Sequence, residues 1–474
     1  KGKHNWVYDL DITSMYPSCI MSLNISPETK IGKIQGWNPE EFLKKDHKKT
    51  YSVTQKDKVI GRFTEKELNN FINGKEIGVA TNGVMYRTDK DGLLPALLRK
   101  WFDERVEYRK LSKKFHEEGD KEQSEYFDRR QYLQKVLLNS LYGVLGLPVF
   151  RFYDLDNAEA TTYTGQSLIK FTKKIGNSYY NKILNDEENH CIYIDTDSVF
   201  YSATPLVKKR FPNMDVNDED KMSKAILEIA DEVQGYLNKS YNYFAKKFCN
   251  LTKHRFDIKQ EVIAKSGLFV TKKRYGLKII NDNGKKVDKM MVKGLDTVRS
   301  SFPVAMRTML SKLLEDILMD VPKNKLDKFI INFKDSMKLM EFDKISIPTS
   351  VKRIKKYQTD GGLFNSYVKG TPVHVKSAIF YNDILKHMKI SKRYTEIFDG
   401  EKIKWVYLKN NPIGLETIAY KGHEDPPKVL EFIRQFINPD KLYKQALHKK
   451  IMMLYEALGW GEPTDATKTI ERFF

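Results

Sequence analysis

The residues with the clearest chemical potential are two aspartates in the segment YIDTDSVFY, Tyr193 to Tyr201. Asp195 and Asp197 are surrounded by aromatic and β-branched residues, which favour a strand. In a strand, residues two apart point to the same side, so both carboxylates would lie on one face. Buried carboxylates are strongly disfavoured as anions unless something neutralises them. The pattern therefore predicts either a tight turn that lifts both acids into water or a site for divalent cations.

Another acid in a strand-like context favours the cation site. Asp11 lies in YDLDITSMYPS, where the pair Tyr16-Pro17 is expected to end the strand sharply. Mg²⁺ prefers octahedral oxygen ligands, of which one or two are carboxylates. Two such ions, about 3.5–4 Å apart, stabilise the attacking and leaving oxygens of an in-line displacement. Asp11 on one strand, with Asp195 and Asp197 on a neighbouring hairpin, would supply that site.

Two predicted helices between these acids carry polar side chains at helical spacing. From Leu93 apolar residues recur every three or four positions, a polar bend covers 116–125, and a second helical run ends at Gly143 and Gly146. We expect an antiparallel hairpin. For any one of these side chains alone, a solvated surface position is the better explanation, but together they would suit a triphosphate. The side chains concerned are Arg105, Arg109, Lys135 and Asn139.

The remaining elements are predicted from periodicity and turn residues. An amphipathic helix carries one apolar face from Leu168 to Ile183, and a hairpin is expected to turn at Asn283-Gly284. After about Arg299 the pattern is mostly helical. It is interrupted by GTPVHVKSAIFYN at Gly370–Asn382 and by a strand-like WVYL at 405–408.

Composition narrows the class of partner and compartment. The 474 residues carry 82 Lys plus Arg against 62 Asp plus Glu, and the net charge of +20 suggests nucleic acid, with a solubility surface as the alternative. Cys19, Cys191 and Cys249 are far apart, which favours a reducing compartment and excludes a disulfide framework or a C-x-x-C zinc site. No signal peptide or long apolar run is apparent, so we expect a cytoplasmic protein with no membrane partner.

Four motifs, in order along the chain, resemble the signature motifs of family B DNA polymerases. They are DITSMYPS, KVLLNSLYG, DTDS and KKRYG. Further segments, among them NISPETK and KGLDTVRSSFP, are similar to replicative polymerases of T-even-type bacteriophages. The resemblance extends over nearly the whole chain, and spaced motifs in this order are highly specific.

The resemblance implies an α+β right-hand fold in four parts: palm over 1–92, fingers over 93–146, palm again over 147–296, and thumb over 297–474. The palm would be an antiparallel sheet carrying the acids, the fingers a helical hairpin, and the thumb mainly helical. These polymerases carry a 3′–5′ exonuclease domain ahead of the palm. We expect it to be missing from this chain, so that proofreading is absent or belongs to a separate partner chain.

The resemblance also implies roles for individual residues. Asp11 and Asp197 match the ligands of two Mg²⁺ ions, the carbonyl of Ile12 is a further ligand, and Asp195 tunes the metal geometry. Tyr16 would lie beneath the sugar of the incoming deoxynucleoside triphosphate and exclude a 2′-hydroxyl. The implied nucleotide-binding residues are Ser14, Met15, Tyr16, Arg105, Arg109, Lys135, Asn139 and Tyr142. The implied contacts with primer–template DNA are Gly143, Lys272, Lys273, Arg274 and Tyr275.

Two positions depart from the family pattern. Ile194 stands where the family usually has Gly, which puts the exact geometry beside the acids in question. Arg109 stands where Lys is usual, which keeps the charge and alters the donor geometry.

The tail TIERFF resembles short aromatic peptides that dock on a sliding clamp, with folding back on the thumb as the alternative. Its clamp-binding residues would be Ile470, Phe473 and Phe474.

The sequence therefore predicts a DNA-templated DNA polymerase core that acts in phage DNA replication. A non-catalytic replisome scaffold is one alternative, disfavoured because an inactive copy has no need of three costly buried acids. A polymerase that makes or copies RNA is the other. Tyr16 argues against making RNA, and the sequence says little about copying it.

Overall fold

A computed structural model describes residues 1–44, 49–55 and 58–464 of the chain. Helices and antiparallel strand pairs are both abundant, so the α+β class is confirmed. The division into palm, fingers and thumb stays a prediction.

The described residues form two compact units. The N-terminal unit comprises Trp6–Ile263 and Ile280–Val287. The C-terminal unit comprises Lys1–Asn5, Ala264–Ile279 and the described residues from Asp288 onward.

The elements up to residue 259 belong to the N-terminal unit, apart from the first residues of the first strand. In chain order they are β1 (Gly2–Ile12), α1 (Met15–Leu23), β2 (Lys30–Ile34), α2 (Pro39–Leu43), β3 (Thr50–Gln55), β4 (Lys58–Thr64), α3 (Glu65–Gly74), β5 (Ile77–Val79), β6 (Val84–Arg87), α4 (Leu93–Glu117), α5 (Lys121–Leu145), α6 (Leu155–Leu184), β7 (Cys191–Asp195), β8 (Ser198–Ser202), α7 (Thr204–Arg210), α8 (Glu219–Cys249) and β9 (Ile258–Lys259).

Two antiparallel sheets organise this unit. In one, β1 pairs with β8 and with β9, and β8 also pairs with β7. The other has the order β4-β3-β2-β6-β5. This second sheet was not expected from the periodicity of the sequence.

A buried stack of tyrosines fixes β1 and β8 against α6. The hydroxyls of Tyr8 on β1 and Tyr180 on α6 are 2.9 Å apart, and Tyr180 donates to the carbonyl of Ser202 at 2.9 Å. The ring of Tyr180 stacks on that of Tyr201, with centroids 5.4 Å apart. Because all three rings are fully buried, this contact holds both strands in one position relative to the helix.

The start of the chain differs from its prediction in one element. We expected a strand and a turn around Val7–Ser18, ended by Tyr16-Pro17, but β1 ends at Ile12 and the proline lies inside the first turn of α1. A proline fits there because the first backbone N–H groups of a helix have no intrahelical acceptor. Ser14, at φ 47°, makes the reversal between strand and helix.

The predicted helical hairpin is confirmed as α4 and α5, with a shorter connection than expected. Only 118–120 separate the helices, because Asp120 caps α5 by accepting from the N–H of Gln123 at 3.1 Å. Ser112 and Ser124 exchange hydrogen bonds between side chain and carbonyl at 3.0 and 3.1 Å, so the helices are paired near the turn.

The remaining elements begin with three strands, each of which has residues in both units. These strands are hydrogen-bonded neighbours in the order β12-β11-β10. The turn between β11 and β12 lies at Asn283-Gly284 as predicted, and both residues have positive φ. In chain order the elements are β10 (Val262–Thr271), β11 (Arg274–Asp282), β12 (Lys285–Lys293), a 3₁₀ turn (Asp296–Val298), α9 (Val304–Leu318), α10 (Lys323–Ser336), α11 (Phe342–Ile345), β13 (Ile347–Ser350), α12 (Ile354–Tyr357), α13 (Val373–His387), β14 (Lys402–Tyr407), β15 (Thr417–Tyr420), α14 (Pro427–Phe436), α15 (Pro439–Leu442), a π-helical turn (Tyr443–His448) and α16 (Lys449–Ala457).

One prediction in the C-terminal unit is wrong. The segment Gly370–Asn382, expected to interrupt the helical pattern, is mostly helix, because α13 begins at Val373 directly after Pro372. Its β-branched residues favour strands, but Val375 and Ile379 are buried in the core of this unit. Burial of one helix face therefore outweighs local propensity. The strand at WVYL is confirmed as β14, in a sheet of order β13-β14-β15.

Candidate active site

The backbone brings Asp11 and Asp197 together at one end of the β1–β8 pair. Asp11 lies opposite Ser198, the residue directly after Asp197. The N–H of Ile12 donates to the carbonyl oxygen of Asp197 at 2.8 Å, so the two segments are in direct contact. Two aspartates that are far apart in the chain are thus neighbours in the fold.

Asp195 and Asp197 do not share the face of one extended strand. β7 ends at Asp195, β8 begins at Ser198, and the N–H of Asp197 donates to the carbonyl of Asp195 at 2.7 Å across Thr196. Thr196 has φ 64°, which is unfavourable for a β-branched residue and indicates local strain. Of the two alternatives, the tight turn is present, but both acids are half-buried and not raised into water.

The electrostatic environment of Asp11 is unfavourable for an isolated anion. Burial, together with the negative charges of Asp197, Glu261 and Asp9, raises the pKa of its carboxyl to about 8. The positive charge of Lys135 on α5 acts in the opposite direction. A divalent cation would relieve this repulsion, so the Asp11–Asp197 pair fits a hard cation held by oxygen ligands. Within the described ranges no three His, Cys, Asp or Glu side chains are placed to hold one metal ion together, so the carboxylate pair would need other oxygen ligands beside it.

Sequence reasoning missed Glu261, which is part of this charge cluster. The carboxylate of Asp9 accepts from the backbone N–H groups of Glu261 and Val262 at 3.1 and 2.7 Å. Burial raises the pKa of Asp9 to about 7 although these hydrogen bonds lower it. Asp9 therefore anchors the backbone that presents Glu261 beside Asp11. A single Glu in the segment KQEVIA has no spacing to another acid that would have identified it from the sequence. Asp9 could have been identified, because it lies two residues before Asp11 on the same strand and so on the same face.

Tyr16 lies between the acids and the end of α5. Its ring centroid is 4.3 Å from that of Tyr142, with 32° between the planes. Burial raises the pKa of the Tyr16 hydroxyl, and the nearby Tyr142 and Asp197 raise it further. On the other side, a β-carbon added to Gly165 of α6 would approach Tyr16 to 3.3 Å and Met15 to 3.0 Å. The ring of Tyr16 is therefore confined between α5 and α6.

The four polar residues of the α4–α5 hairpin have different environments. Arg105 is half-buried, and its Nε is a buried donor without a partner among the described residues. Burial lowers the pKa of Arg105, and the charge of Arg109 lowers it further, whereas Glu261 raises it. Arg109, Lys135 and Asn139 are exposed. An orphaned, desolvated guanidinium near an exposed cation is a suitable place for an anionic group.

The predicted DNA-binding residues divide into exposed and engaged groups. A β-carbon at Gly143 in the last turn of α5 would meet open space. In the C-terminal unit, Lys272 and Lys273 are exposed at the β10–β11 turn. Arg274 instead donates to Asp296 at 2.9 Å and to the carbonyl of Gly294 at 3.1 Å, and Tyr275 is buried against Phe269. These contacts favour a structural role for Arg274 and Tyr275.

Two acidic clusters are not part of the site. Asp186 accepts from the ring of His190 at 3.0 Å, and Asp218 caps α8 through the N–H of Lys221, as expected for polar turns. The proposed clamp-binding residues, Ile470, Phe473 and Phe474, lie outside the described residues, so their role stays a prediction.

Comparison with known proteins decides the family. The family model for DNA polymerase family B matches residues 3–458. The chain belongs to DNA polymerase family B. The resemblance carried by the sequence motifs is thus confirmed over nearly the whole length of this family B chain.

Individual relatives are similar at low identity and high coverage. The chain is 25% identical to the DNA-directed DNA polymerase of Escherichia phage RB69, over 88% of this chain and 50% of the phage protein. It is 23% identical to that of Enterobacteria phage T4, over 96% and 54%. With DNA polymerase 1 of Pyrococcus abyssi it shares 28% identity over 67% of this chain and 31% of the archaeal protein. The chain thus spans about half the length of its phage relatives.

No α-helix in the described part of this family B chain has both the length and the apolar character needed to cross a lipid bilayer.

Proposed function

We propose that this chain is the core of a DNA-templated DNA polymerase of phage type, which adds deoxynucleotides to a primer 3′-hydroxyl. The observation that carries the proposal is the convergence of Asp11 and Asp197 beside the cationic helical hairpin. Membership of family B and the names of the phage relatives support it. In this assignment the antiparallel strands with the acids are the palm, α4 and α5 are the fingers, and the helices after residue 297 form the thumb.

Asp11 and Asp197, with the carbonyl of Ile12, would hold two Mg²⁺ ions, and Asp195 would tune their position through the turn. When bound, such ions lower the pKa of the attacking hydroxyl and stabilise the departing pyrophosphate. Thr196, at φ 64°, forms the tight turn between the two acids of the hairpin. Asp9 and the hydrogen bonds to its carboxylate keep Glu261 at the edge of the pair.

Arg105 and Lys135 would bind the triphosphate, with Asn139 and Arg109 beside them. Lys135 already acts electrostatically on Asp11, and the buried Nε of Arg105 lacks a hydrogen-bond acceptor among the described residues. A triphosphate between these groups would satisfy that donor and neutralise both cations. Movement of the hairpin would then deliver the cations onto a correctly paired nucleotide.

Tyr16 would be the sugar gate, with Ser14 and Met15 forming the adjacent backbone. Its contacts with Tyr142 and its proximity to Gly165 leave the ring little freedom to move away from a 2′-hydroxyl. Tyr142 and Gly143 would line the nascent base pair, and exposed Lys272 and Lys273 would contact phosphates of the primer–template. A separate exonuclease chain and a sliding clamp stay predictions for further partners.

Primer extension by the purified chain with Mg²⁺, a primed template and deoxynucleoside triphosphates tests the proposal. Asp197→Asn is expected to reduce the rate by about a thousandfold or more, because several kcal/mol of charge stabilisation depend on it. Asp231→Asn is the matched control, since Asp231 is exposed on α8. Full activity of Asp197→Asn, or no extension by the unaltered chain, would refute the proposal.

A further inference from the structure

Two adjoining cavities form a groove in the N-terminal unit, lined by residues that are not in the candidate active site. One cavity, of about 910 Å³, lies among α2, α6 and α8. The other, of about 470 Å³, lies among α2, α3 and the end of α8. Leu43 and Phe248 line both cavities, so the two lie side by side and are treated together as one groove.

The charge along this groove is strongly positive. Two acids line it, Glu40 and Glu65, against six lysines. All six lysines are exposed, and none forms an ion pair within 1–44, 49–55 or 58–464. Six cations held close together repel one another unless an anion is bound between them. The lysines are Lys44, Lys66, Lys170, Lys174, Lys246 and Lys247.

Aromatic rings form part of the floor of the groove. Tyr243 is 54% exposed, and its ring lies parallel to that of Phe171, with centroids 6.4 Å apart and 11° between the planes. Phe248 packs edge-on against Phe171 at 5.8 Å. In the smaller cavity, the indole N–H of Trp37 is a buried donor without an acceptor among the described residues. Tyr243 is thus an exposed ring held parallel to a buried one, as in a stacking platform.

We propose that this groove binds single-stranded nucleic acid, with the phosphates along the lysines and bases stacked on the aromatic floor. Sites that bind single-stranded nucleic acid without sequence preference combine a positively charged groove with aromatic side chains, because every base has a face that can stack. The two cavities together give space for several nucleotides. An acidic peptide would use the lysines but would not need the exposed flat ring of Tyr243, so the combination favours the nucleic acid. The proposal does not depend on polymerase activity.

The test is fluorescence anisotropy of a labelled oligothymidylate of about 20 nucleotides with the full chain, while excess unlabelled primer–template occupies the candidate active site. The double variant Lys170→Glu, Lys247→Glu is expected to weaken binding at least tenfold. The slope of log K against log salt concentration should become shallower by roughly 1 to 1.5. Lys182→Glu with Lys224→Glu makes the same charge change on the same two helices outside the groove, and binding should change less than twofold.

The aromatic floor has its own test. Tyr243→Ala is expected to weaken oligothymidylate binding about tenfold, whereas Tyr243→Phe keeps the ring and should bind like the unaltered chain. Thermal melting verifies that each variant is folded, and primer extension should be unchanged in all of them. Equal losses in the groove and control lysine pairs would overturn the proposal. So would binding of an acidic Glu–Leu peptide by a chain that does not bind oligothymidylate, since the groove would then serve a protein partner.

Discussion

The rings of Tyr16 and Tyr142 are in contact, with centroids 4.3 Å apart, although 126 positions separate them in the chain (142 − 16). This contact connects the helix that follows the acid-bearing strand to the last turn of α5. Because Asp197 also influences the Tyr16 hydroxyl, the tyrosine pair borders the carboxylate pair. The position of the hairpin and the shape of the candidate nucleotide site are therefore coupled.

Removal of the Tyr16 ring is expected to relax sugar discrimination. In Tyr16→Ala the space for a 2′-hydroxyl opens, and ribonucleotide incorporation relative to deoxynucleotide should rise roughly 10- to 200-fold in single-nucleotide extension assays. Tyr16→Phe retains the ring and is the control, with discrimination close to that of the unaltered chain. Tyr142→Ala should cause a smaller rise, because it removes only the support of the ring. Unchanged selectivity in Tyr16→Ala would exclude Tyr16 as the gate.

Arg105 is expected to matter more than Arg109 for nucleotide binding. Its Nε is desolvated without an acceptor among the described residues, so its loss removes a charge-assisted hydrogen bond to the triphosphate. Arg105→Ala should raise the KM for deoxynucleotides about 10- to 100-fold, and Arg109→Ala should have a smaller effect. Arg129→Ala on the same hairpin is the control, since Arg129 is exposed and pairs with Glu125 at 3.1 Å. Equal KM values for the Arg105 and Arg109 variants would contradict this ranking.

The acid cluster is expected to make stability depend on pH and on Mg²⁺ together. The pKa of Asp11 is about 8 in the folded chain against an ordinary value of 3.8, so the folded state holds a proton that the unfolded state has lost. In EDTA the melting temperature should therefore fall as the pH rises from about 5 to about 8, and Asp9, with a pKa of about 7, contributes in the same direction.

Mg²⁺ should raise the melting temperature most at about pH 8, because the ion must displace that proton at lower pH. Differential scanning fluorimetry of the unaltered chain and of Asp11→Asn, with EDTA or Mg²⁺, measures both effects. The variant should lose part of the pH dependence and most of the stabilisation by Mg²⁺. A rise in melting temperature with Mg²⁺ that is equal at about pH 5 and about pH 8 would argue against an ion at Asp11.

Arg274 is expected to stabilise the C-terminal unit, and its two lysine neighbours to bind phosphate. Asp296 is 6% exposed and accepts from both Arg274 and Lys450, so Arg274→Ala leaves a buried carboxylate short of a partner. Unfolding free energy should fall by about 3 kcal/mol. Lys272→Ala with Lys273→Ala should instead leave the melting temperature unchanged and reduce the salt dependence of primer–template binding by about two phosphates. Loss of DNA binding without loss of stability in Arg274→Ala would reverse this assignment.

Local patterns of the chain were sufficient to predict some elements and not others. The apolar spacing after Leu93 predicts the helical hairpin, and Asn283-Gly284 predicts the turn between β11 and β12, because both signals depend on residues within a few positions of each other. The segment Gly370–Asn382 was misassigned because burial of Val375 and Ile379 outweighs their preference for strands. The sheet of β2 to β6 was missed for a different reason: its strands are short, and β2 pairs with a strand that is distant in the chain, with Lys30 opposite Tyr86.

The sequence by itself determined which groups are available for chemistry: the acids Asp11, Asp195 and Asp197, the cations of the hairpin, and the family to which they belong. Only the tertiary structure decided that a strained turn at Thr196 separates the two acids of the hairpin, that Glu261 lies near Asp11, and that Arg274 pairs with Asp296. The physical reason is that residue types and periodicity are encoded locally. Adjacency depends instead on strand register and on burial against distant residues, where a shift of one position would turn every side chain to the opposite face.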